Sequence, residues 1–372
     1  MEQFHVTYEI RADSQEEAED WARAVAREQT IECIDEAVPH EWIFDEVLGK
    51  VEHVEAVDEG CFSARVAYNG AVTGDELPQL LNMVYGNSSL HVGVKFTGLS
   101  LPPAMQRFVP GPRYGIEGVR AETCRANGPL ICAVIKPTGM SPAEMAEIAY
   151  QCALGGADLI KDDHNLAMQP WAPFEPRVEA IAAAVARANA ETGRRTLYAP
   201  SMNAAYDQFM ARARFAVEVG AGAFLVMPAL TGWDSLRLLA ADPDTQLPIM
   251  AHPAGLGTYA NAPGNGIAHP VLYATYPRLA GADVSIYPSF GGRYGFSREL
   301  CVQIAEACRD PDGLFKPILP SPGGGMRLDL AATLRGMYGD DAVFLFGGSA
   351  MRYRDKIASG LREIRAALSA PA

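Results

Sequence analysis

No stretch of this 372-residue chain is apolar for long enough to cross a bilayer, although 49% of its residues are hydrophobic. A helical span needs roughly 20 consecutive apolar residues, so no membrane partner is expected. Runs rich in lysine or arginine are missing too. With 45 acidic against 31 basic residues and a formal net charge of -14, the chain lacks the clustered cations that phosphate backbones require, and nucleic acid is excluded as a partner. Small anionic ligands stay admissible, because a local cationic pocket can sit inside an acidic protein. The seven cysteines (Cys33, Cys61, Cys124, Cys132, Cys152, Cys301 and Cys308) are scattered, odd in number and contain no CxxC pair. That excludes a disulfide frame and a cysteine zinc site and fits reduced thiols. The start, Met1-Glu2-Gln3-Phe4-His5, has neither the basic region nor the apolar stretch of a signal peptide, so a cytoplasmic protein is expected.

What the chain does have is a repeated unit. From about Leu130 onward a short apolar run, a polar loop and an amphipathic helix recur. The apolar runs are Leu130 to Ile135, Ala157 to Ile160, Thr196 to Ala199, Ala223 to Met227, Pro248 to Ala251, Ala282 to Ile286, Lys316 to Leu319 and Ala342 to Phe346. Helical patterns follow most of them: Ser141 to Leu154, Arg177 to Thr192, Tyr206 to Val219, Ser297 to Cys308 and Ala350 to Leu368. Eight such units are what a closed (β/α)8 TIM barrel needs, with an open doubly wound sheet as the alternative. The barrel is expected over residues 126–372. Residues 1–125 read as an α+β domain: strand patterns at Phe4 to Arg11, Val51 to Val57, Phe62 to Tyr68 and Val92 to Phe96, and helices at Glu16 to Arg27 and Leu77 to Tyr85. The proline-rich stretch Leu101 to Gly115 reads as the linker.

In a barrel the strand C-terminal ends and the loops after them carry the chemistry. Here those ends are rich in functional groups: Lys136-Pro137-Thr138 after the first strand, Ser201 and Asn203 after the third, His252 after the fifth, Tyr287 and Ser289 after the sixth, with Arg293 beyond. The second strand ends in Lys161-Asp162-Asp163-His164, a set of hard-cation ligands interrupted by a lysine whose ammonium would repel a divalent ion. Strands seven and eight end in Gly323-Gly324-Gly325 and Gly347-Gly348-Ser349. Bare backbone N–H groups at these two strand ends point to a phosphate cradle, a recurrent barrel device. Taken singly, His252 could be a core histidine and Lys136 a snorkelling surface lysine. The other histidines, His5, His40, His53, His91 and His269, belong to no constellation, and Asp341 reads as a turn residue.

These residues, in this order, resemble the large subunit of ribulose-bisphosphate carboxylase (RuBisCO). The resemblance is carried by Gly111-Pro112 with Gly115-Ile116, Ile135-Lys136-Pro137 with Gly139 and Ser141, Gly155-Gly156-Ala157-Asp158 with Lys161-Asp162-Asp163, Gln169-Pro170, Gly323-Gly324-Gly325, Gly339-Asp340-Asp341 and Gly347-Gly348. Glu28 with Thr30 and the pair Gly86-Asn87 extend it into the N-terminal domain. It implies an α+β, ferredoxin-like N-terminal domain before the barrel. It also implies an active site completed by the N-terminal domain of a second subunit, hence a homodimer or higher homo-oligomer. In that family the strand-two lysine is carbamylated by CO2 and becomes an anionic ligand for Mg2+, one ion per site, beside an aspartate and a glutamate. Lys161 and Asp163 match these positions, and His164 stands where the glutamate should be.

Other positions depart from the carboxylase pattern. Thr138 replaces the second active-site lysine, and Pro253 replaces the arginine that grips one phosphate of a bisphosphate. The sixth loop, Pro288 to Gly295, lacks the lysine that closes over CO2, with Arg293 the nearest cation, and Gly323 occupies a serine position. The resemblance therefore narrows to the RuBisCO-like proteins, form IV, and implies a monophosphate substrate and no carboxylation. The expected activity is metal-stabilised enediolate chemistry on a ketose monophosphate, with 5-methylthioribulose-1-phosphate isomerase in methionine salvage as lead. The alternatives are 2,3-diketo-5-methylthiopentyl-1-phosphate enolase, a decarboxylase of a 3-oxo sugar-acid phosphate of the 3-oxo-isoapionate-4-phosphate type, and a non-catalytic regulatory protein. Lys136 is the first candidate base and Lys95 the second, with His252 beside them. Thr138, Asn87, Arg293 and the two glycine clusters are the candidate substrate and phosphate contacts.

Overall fold

Phe4, Val6, Tyr8 and Ile10 alternate with polar residues and are all fully buried, which makes the first strand the spine of a sheet covered on one face. The computed structural model describes residues 2–309, 314–326, 328–353 and 356–369. Its strands, in chain order, begin with β1 (Gln3–Arg11), β2 (Lys50–Asp58), β3 (Cys61–Asn69) and β4 (Val94–Ser100). Then come β5 (Leu130–Val134), β6 (Leu159–Lys161), β7 (Leu197–Ala199), β8 (Phe224–Val226), β9 (Ile249–Ala251) and β10 (Gly266–Ile267). The last are β11 (Val284–Pro288), β12 (Leu319–Gly323) and β13 (Val343–Phe346).

The contacts divide the chain into two compact units. One is Met1–Pro110 with Leu256–Tyr276 and Asp312–Leu314; the other is Gly111–Gly255 with Pro277–Pro311 and Phe315–Ala372. The first unit is a five-stranded sheet of order β10-β4-β1-β3-β2, antiparallel apart from the β10–β4 pair. Helix Gln15–Glu28 covers it with Ala18, Ala22, Val25 and Ala26, and the Ser14 hydroxyl caps that helix by accepting from the Glu17 N–H at 3.2 Å.

The second unit holds the eight expected strands, all parallel, as β13-β5-β6-β7 and β12-β11-β9-β8. A bridge from Ser201 to Leu225 joins β7 to β8, and β12 lies beside β13, which closes the (β/α)8 barrel. Every second residue points inward: Leu130, Cys132 and Val134 on β5, Leu159 on β6, Leu197 and Ala199 on β7, Val284 and Ile286 on β11, Val343 and Leu345 on β13. This alternation places the polar strand ends. Two residues beyond the last inward apolar side chain stand Lys136, Lys161, Ser201, His252 and Gly347 on five different strands.

Three details differ from the sequence reading. The unit boundary falls at Pro110 rather than 125, because helix Gly115–Glu122 supplies Ile116 and Val119 to the barrel core. The seventh strand begins at Leu319, not Lys316: the Pro317 carbonyl accepts from the Ile116 N–H and the Lys316 ammonium bonds the Arg113 carbonyl, which holds that stretch outside the ladder. Gly323 is thus the last residue of β12, paired with Pro288. The helix expected over Ala350 to Leu368 is instead Gly348–Met351 and Ile357–Ser369, with residues 354–355 between them outside the described residues.

Candidate active site at the barrel strand ends

Asp163 is the hub. Its side chain is 2% exposed, one oxygen takes an ion pair from the Lys136 ammonium, and the other accepts from the Asn165 N–H at 3.0 Å and lies 3.4 Å from His164 Nδ1. Burial alone would raise this carboxyl, but the bonds from Lys136 and the Asn165 N–H hold it below its ordinary value. Lys136 is one-third exposed and reaches across from the end of β5. A Cβ built on Gly347 would stand 3.6 Å from Lys136 Cε, ordinary van der Waals contact, so the lysine runs along the end of β13.

The two imidazoles form a pair. His164 and His252 stack with ring centroids 4.4 Å apart and planes 17° apart. Burial lowers both, and the neighbouring Lys161 and Lys136 push in the same direction, His252 falling well below the usual histidine range. His252 Nδ1 accepts from the Ala254 N–H at 3.2 Å. In the neutral ring that assigns the proton to Nε2, which becomes a donor for a ligand oxygen.

Lys161 is 2% exposed, its amine donating to the Asp162 carbonyl at 3.0 Å. Burial lowers its amine below the ordinary lysine value against the opposing pull of Asp163. The intervening Asp162, in the cluster by sequence, serves a structural purpose. Its carboxylate accepts from Arg177 Nε at 3.2 Å, the Tyr198 hydroxyl at 2.9 Å and the Ser201 N–H at 3.1 Å. Arg177 also donates to the Ala167 and Ala172 carbonyls, at 3.1 and 2.6 Å, fixing the loop that follows the site. Sequence reading passed over Arg177 and Tyr198. The only available signal was that a second aspartate beside a ligand pair must find a partner once buried.

The glycine clusters lie at neighbouring strand ends. Gly324 and Gly325 adopt φ of +85° and +120°, which ordinary side chains rarely reach, and a Cβ on Gly324 would fall 2.8 Å from the Tyr294 ring. The Gly324 carbonyl accepts from the Arg293 N–H at 3.0 Å, tying the sixth loop to the seventh, while the Arg293 guanidinium lies over the Tyr294 ring. The helix after Gly347 is a single turn, so any anion there meets backbone N–H groups rather than a long helix dipole. Thr138 is exposed. Tyr287 is buried beside Tyr338, among the outer helices, and contributes nothing to the strand-end cluster. Asn87 and Lys95 belong to the first unit: Asn87 donates to Glu28 and Glu32 at 3.1 Å each, and Lys95 stands opposite Glu9 on β1.

A divalent cation fits this donor set on one condition. Among the described residues no group of three or more His, Cys, Asp or Glu side chains is placed to hold a metal ion, and Asp163 with His164 supply only two donors. A hard cation requires more oxygen. Lys161 would provide it as a carbamate, and an amine whose proton burial has loosened is the form that adds CO2.

Residues 115–292 match the family described as ribulose bisphosphate carboxylase large chain, catalytic domain. The chain is 35% identical to the 5-methylthioribulose-1-phosphate isomerase of Rhodospirillum rubrum, over 96% of this chain and 93% of that one. It is 33% identical to the 2,3-diketo-5-methylthiopentyl-1-phosphate enolase of Bacillus licheniformis, over 87% and 80%. A solved RuBisCO-like protein from Rhodopseudomonas palustris superposes with a TM-score of 0.89 at 34% identity, covering 99% of this chain and 98% of that one.

Proposed function

The chain belongs to the RuBisCO-like branch of the ribulose-bisphosphate carboxylase large-chain family, and from that premise we propose that it isomerises a ketose monophosphate, 5-methylthioribulose 1-phosphate above others. The observation that carries the proposal is the convergence of Lys136, Asp163, His164 and His252 at the ends of three barrel strands, around the buried amine of Lys161. The Lys136 ammonium paired with Asp163, beside two imidazoles that burial lowers and a Lys161 amine that burial lowers, makes a polar pocket in which added charge is felt strongly. Fixed donors in a dry pocket are what a developing enediolate oxygen requires.

Isomerisation moves a proton from the carbon beside a carbonyl. Lys136 is the base we assign to that transfer, since it is the exposed lysine of the cluster, with Lys95 as the second candidate. The Nε2–H of His252 donates to the oxygen on which charge develops, as a neutral imidazole can without giving up its proton. Gly323, Gly324, Gly325, Gly347 and Gly348 offer backbone N–H groups to one phosphate, with Arg293 and Thr138 at the rim. We assign Lys161 as carbamate, Asp163 and His164 to one Mg2+, which when bound would withdraw electrons from the substrate oxygens. Asn87 would enter from a second copy, in a homodimer or larger assembly. Thr138, Pro253 and the absence of lysine from Pro288 to Gly295 argue against carboxylation.

Enolisation of 2,3-diketo-5-methylthiopentyl 1-phosphate is the second reading, favoured by the similarity to the Bacillus enolase. Incubation with each phosphate in D2O separates the two, with a 3-oxo sugar-acid phosphate as the decarboxylase control. Isomerisation converts only the ribulose phosphate, with deuterium entering it; enolisation converts only the diketone; decarboxylation releases CO2. Absence of exchange and of product with all three would end the enzyme reading.

A further inference from the structure

Ser201 and Ser321 are wholly buried in the barrel, and among the described residues their hydroxyls meet no hydrogen-bond partner. A buried hydroxyl left unpaired is costly, and alanine, which stands two residues before Ser201 on the same face of β7, would avoid that cost. The two serines differ in depth. Each interior layer of an eight-stranded barrel takes one side chain from every second strand. The ladders place Ser321 in a layer with Cys132, Ala199 and Met250, under the apolar Leu225, Ile286 and Leu345. They place Ser201 in the next layer toward the strand ends, with Val134, His252 and Gly323. Val134 and Gly323 have no polar side chain, so His252 is the one other polar side chain of that layer. The β6–β7 ladder ends at the pair Lys161 and Ala199, and the Ser201 N–H beyond it is taken up by the Asp162 carboxylate at 3.1 Å. Arg177 and Tyr198 hold that carboxylate in turn. The Ser201 backbone is thus clamped from outside the barrel while its hydroxyl stays unpaired on the inside. We propose that Ser201 contacts the substrate: its hydroxyl donates to an oxygen of the sugar-phosphate chain, beside the Nε2–H of His252. The inference rests on the sugar-phosphate reading above and deepens it, giving the oxygen on which charge develops a second fixed donor.

Ser321, equally buried but a layer deeper, is the control. 5-Methylthioribulose 1-phosphate and 2,3-diketo-5-methylthiopentyl 1-phosphate are each titrated calorimetrically into the full chain, and turnover is followed in the D2O assay, for the wild type, Ser201→Ala and Ser321→Ala. Neither variant loses a bond within the protein, so both should melt at or above the wild-type temperature. With the phosphate that the wild type takes, Ser201→Ala should bind about five- to tenfold more weakly and lose about ten- to a hundredfold in kcat/KM, while Ser321→Ala stays within about twofold on both. Ser201→Gly lacks the hydroxyl too and should repeat the loss. Wild-type binding and turnover by Ser201→Ala overturn the contact. An equal loss in both alanine variants overturns it as well, since packing would then be the cause, and so does a clearly lower melting temperature for Ser201→Ala, which would give the hydroxyl a partner inside the fold. A wild type that binds without converting, with weaker binding by Ser201→Ala, ends the enzyme reading and leaves the contact standing. No binding of either phosphate by any of the proteins overturns both.

Discussion

Changing Asp163 to Asn removes the partner of Lys136 and the charged acceptor of the Asn165 N–H together. If the strand-end cluster is the catalytic centre, kcat for the D2O exchange assay should fall by about a hundredfold or more, while thermal unfolding shifts little because the strand itself is intact. His164→Glu tests the departure from the carboxylase pattern. A carboxylate is a harder donor than imidazole, so the variant should bind Mg2+ more tightly than the wild type in a competition titration against Mn2+. Unchanged Mg2+ binding would remove His164 from the ligand set. Lys136, Asp163 and His252 were legible in the sequence because polar groups at the end of an apolar strand have few structural reasons to be there. The ion pair between Lys136 and Asp163 was not, since it spans 27 residues and depends on β5 and β6 being neighbours.

Two networks hold the elements that present these side chains. Arg177, wholly buried on helix Phe174–Thr192, neutralises Asp162 and holds two carbonyls of the loop after β6. Arg177→Met would strand a buried carboxylate and should cost about 3–5 kcal/mol in urea unfolding. Adding Asp162→Leu should recover part of that loss, because the unpaired charge goes too. At the opposite end of the barrel, Asp283 takes N–H bonds from Tyr114, Gly115 and Ile249 at 2.8, 2.8 and 2.9 Å. Burial pushes its carboxyl up to about 6 even so. The folded value lies above the unfolded one of about 3.9, so between these the folded chain holds a proton that the unfolded chain has lost, and this group's contribution falls as pH rises through that window. Asp283→Asn cannot titrate. The unfolding free energy of the wild type minus that of the variant should therefore drop by roughly 2–3 kcal/mol from pH 4 to pH 7 and stay level above. A difference independent of pH would show that the three N–H donors, not burial, set this carboxyl.

Across the whole molecule, the first unit leaves Trp42, Leu90 and Val92 exposed at 56%, 81% and 89%. The homo-oligomer proposed above is tested by solution size. Sedimentation velocity at micromolar concentration should give a dimer or larger species, and a monomer would count against a site completed by a second copy.

The sequence by itself determined the eight strands of the barrel and the positions where their polar ends fall, because inward alternation is a local property that each strand enforces on its own residues. It also determined the four antiparallel strands of the first unit. The tertiary structure decided what sequence order cannot encode. It moved the unit boundary to Pro110, returned Leu256–Tyr276 to the first sheet through β10, and started β12 at Leu319, each of these through bonds between residues far apart in the chain. Above all it sorted two adjacent aspartates into different duties. Asp162 turns outward from the barrel to Arg177 and Tyr198, while Asp163 turns inward to Lys136. Neighbouring residues on an extended chain face opposite ways, and only the partners waiting on each side give one a structural role and set the other in the strand-end cluster.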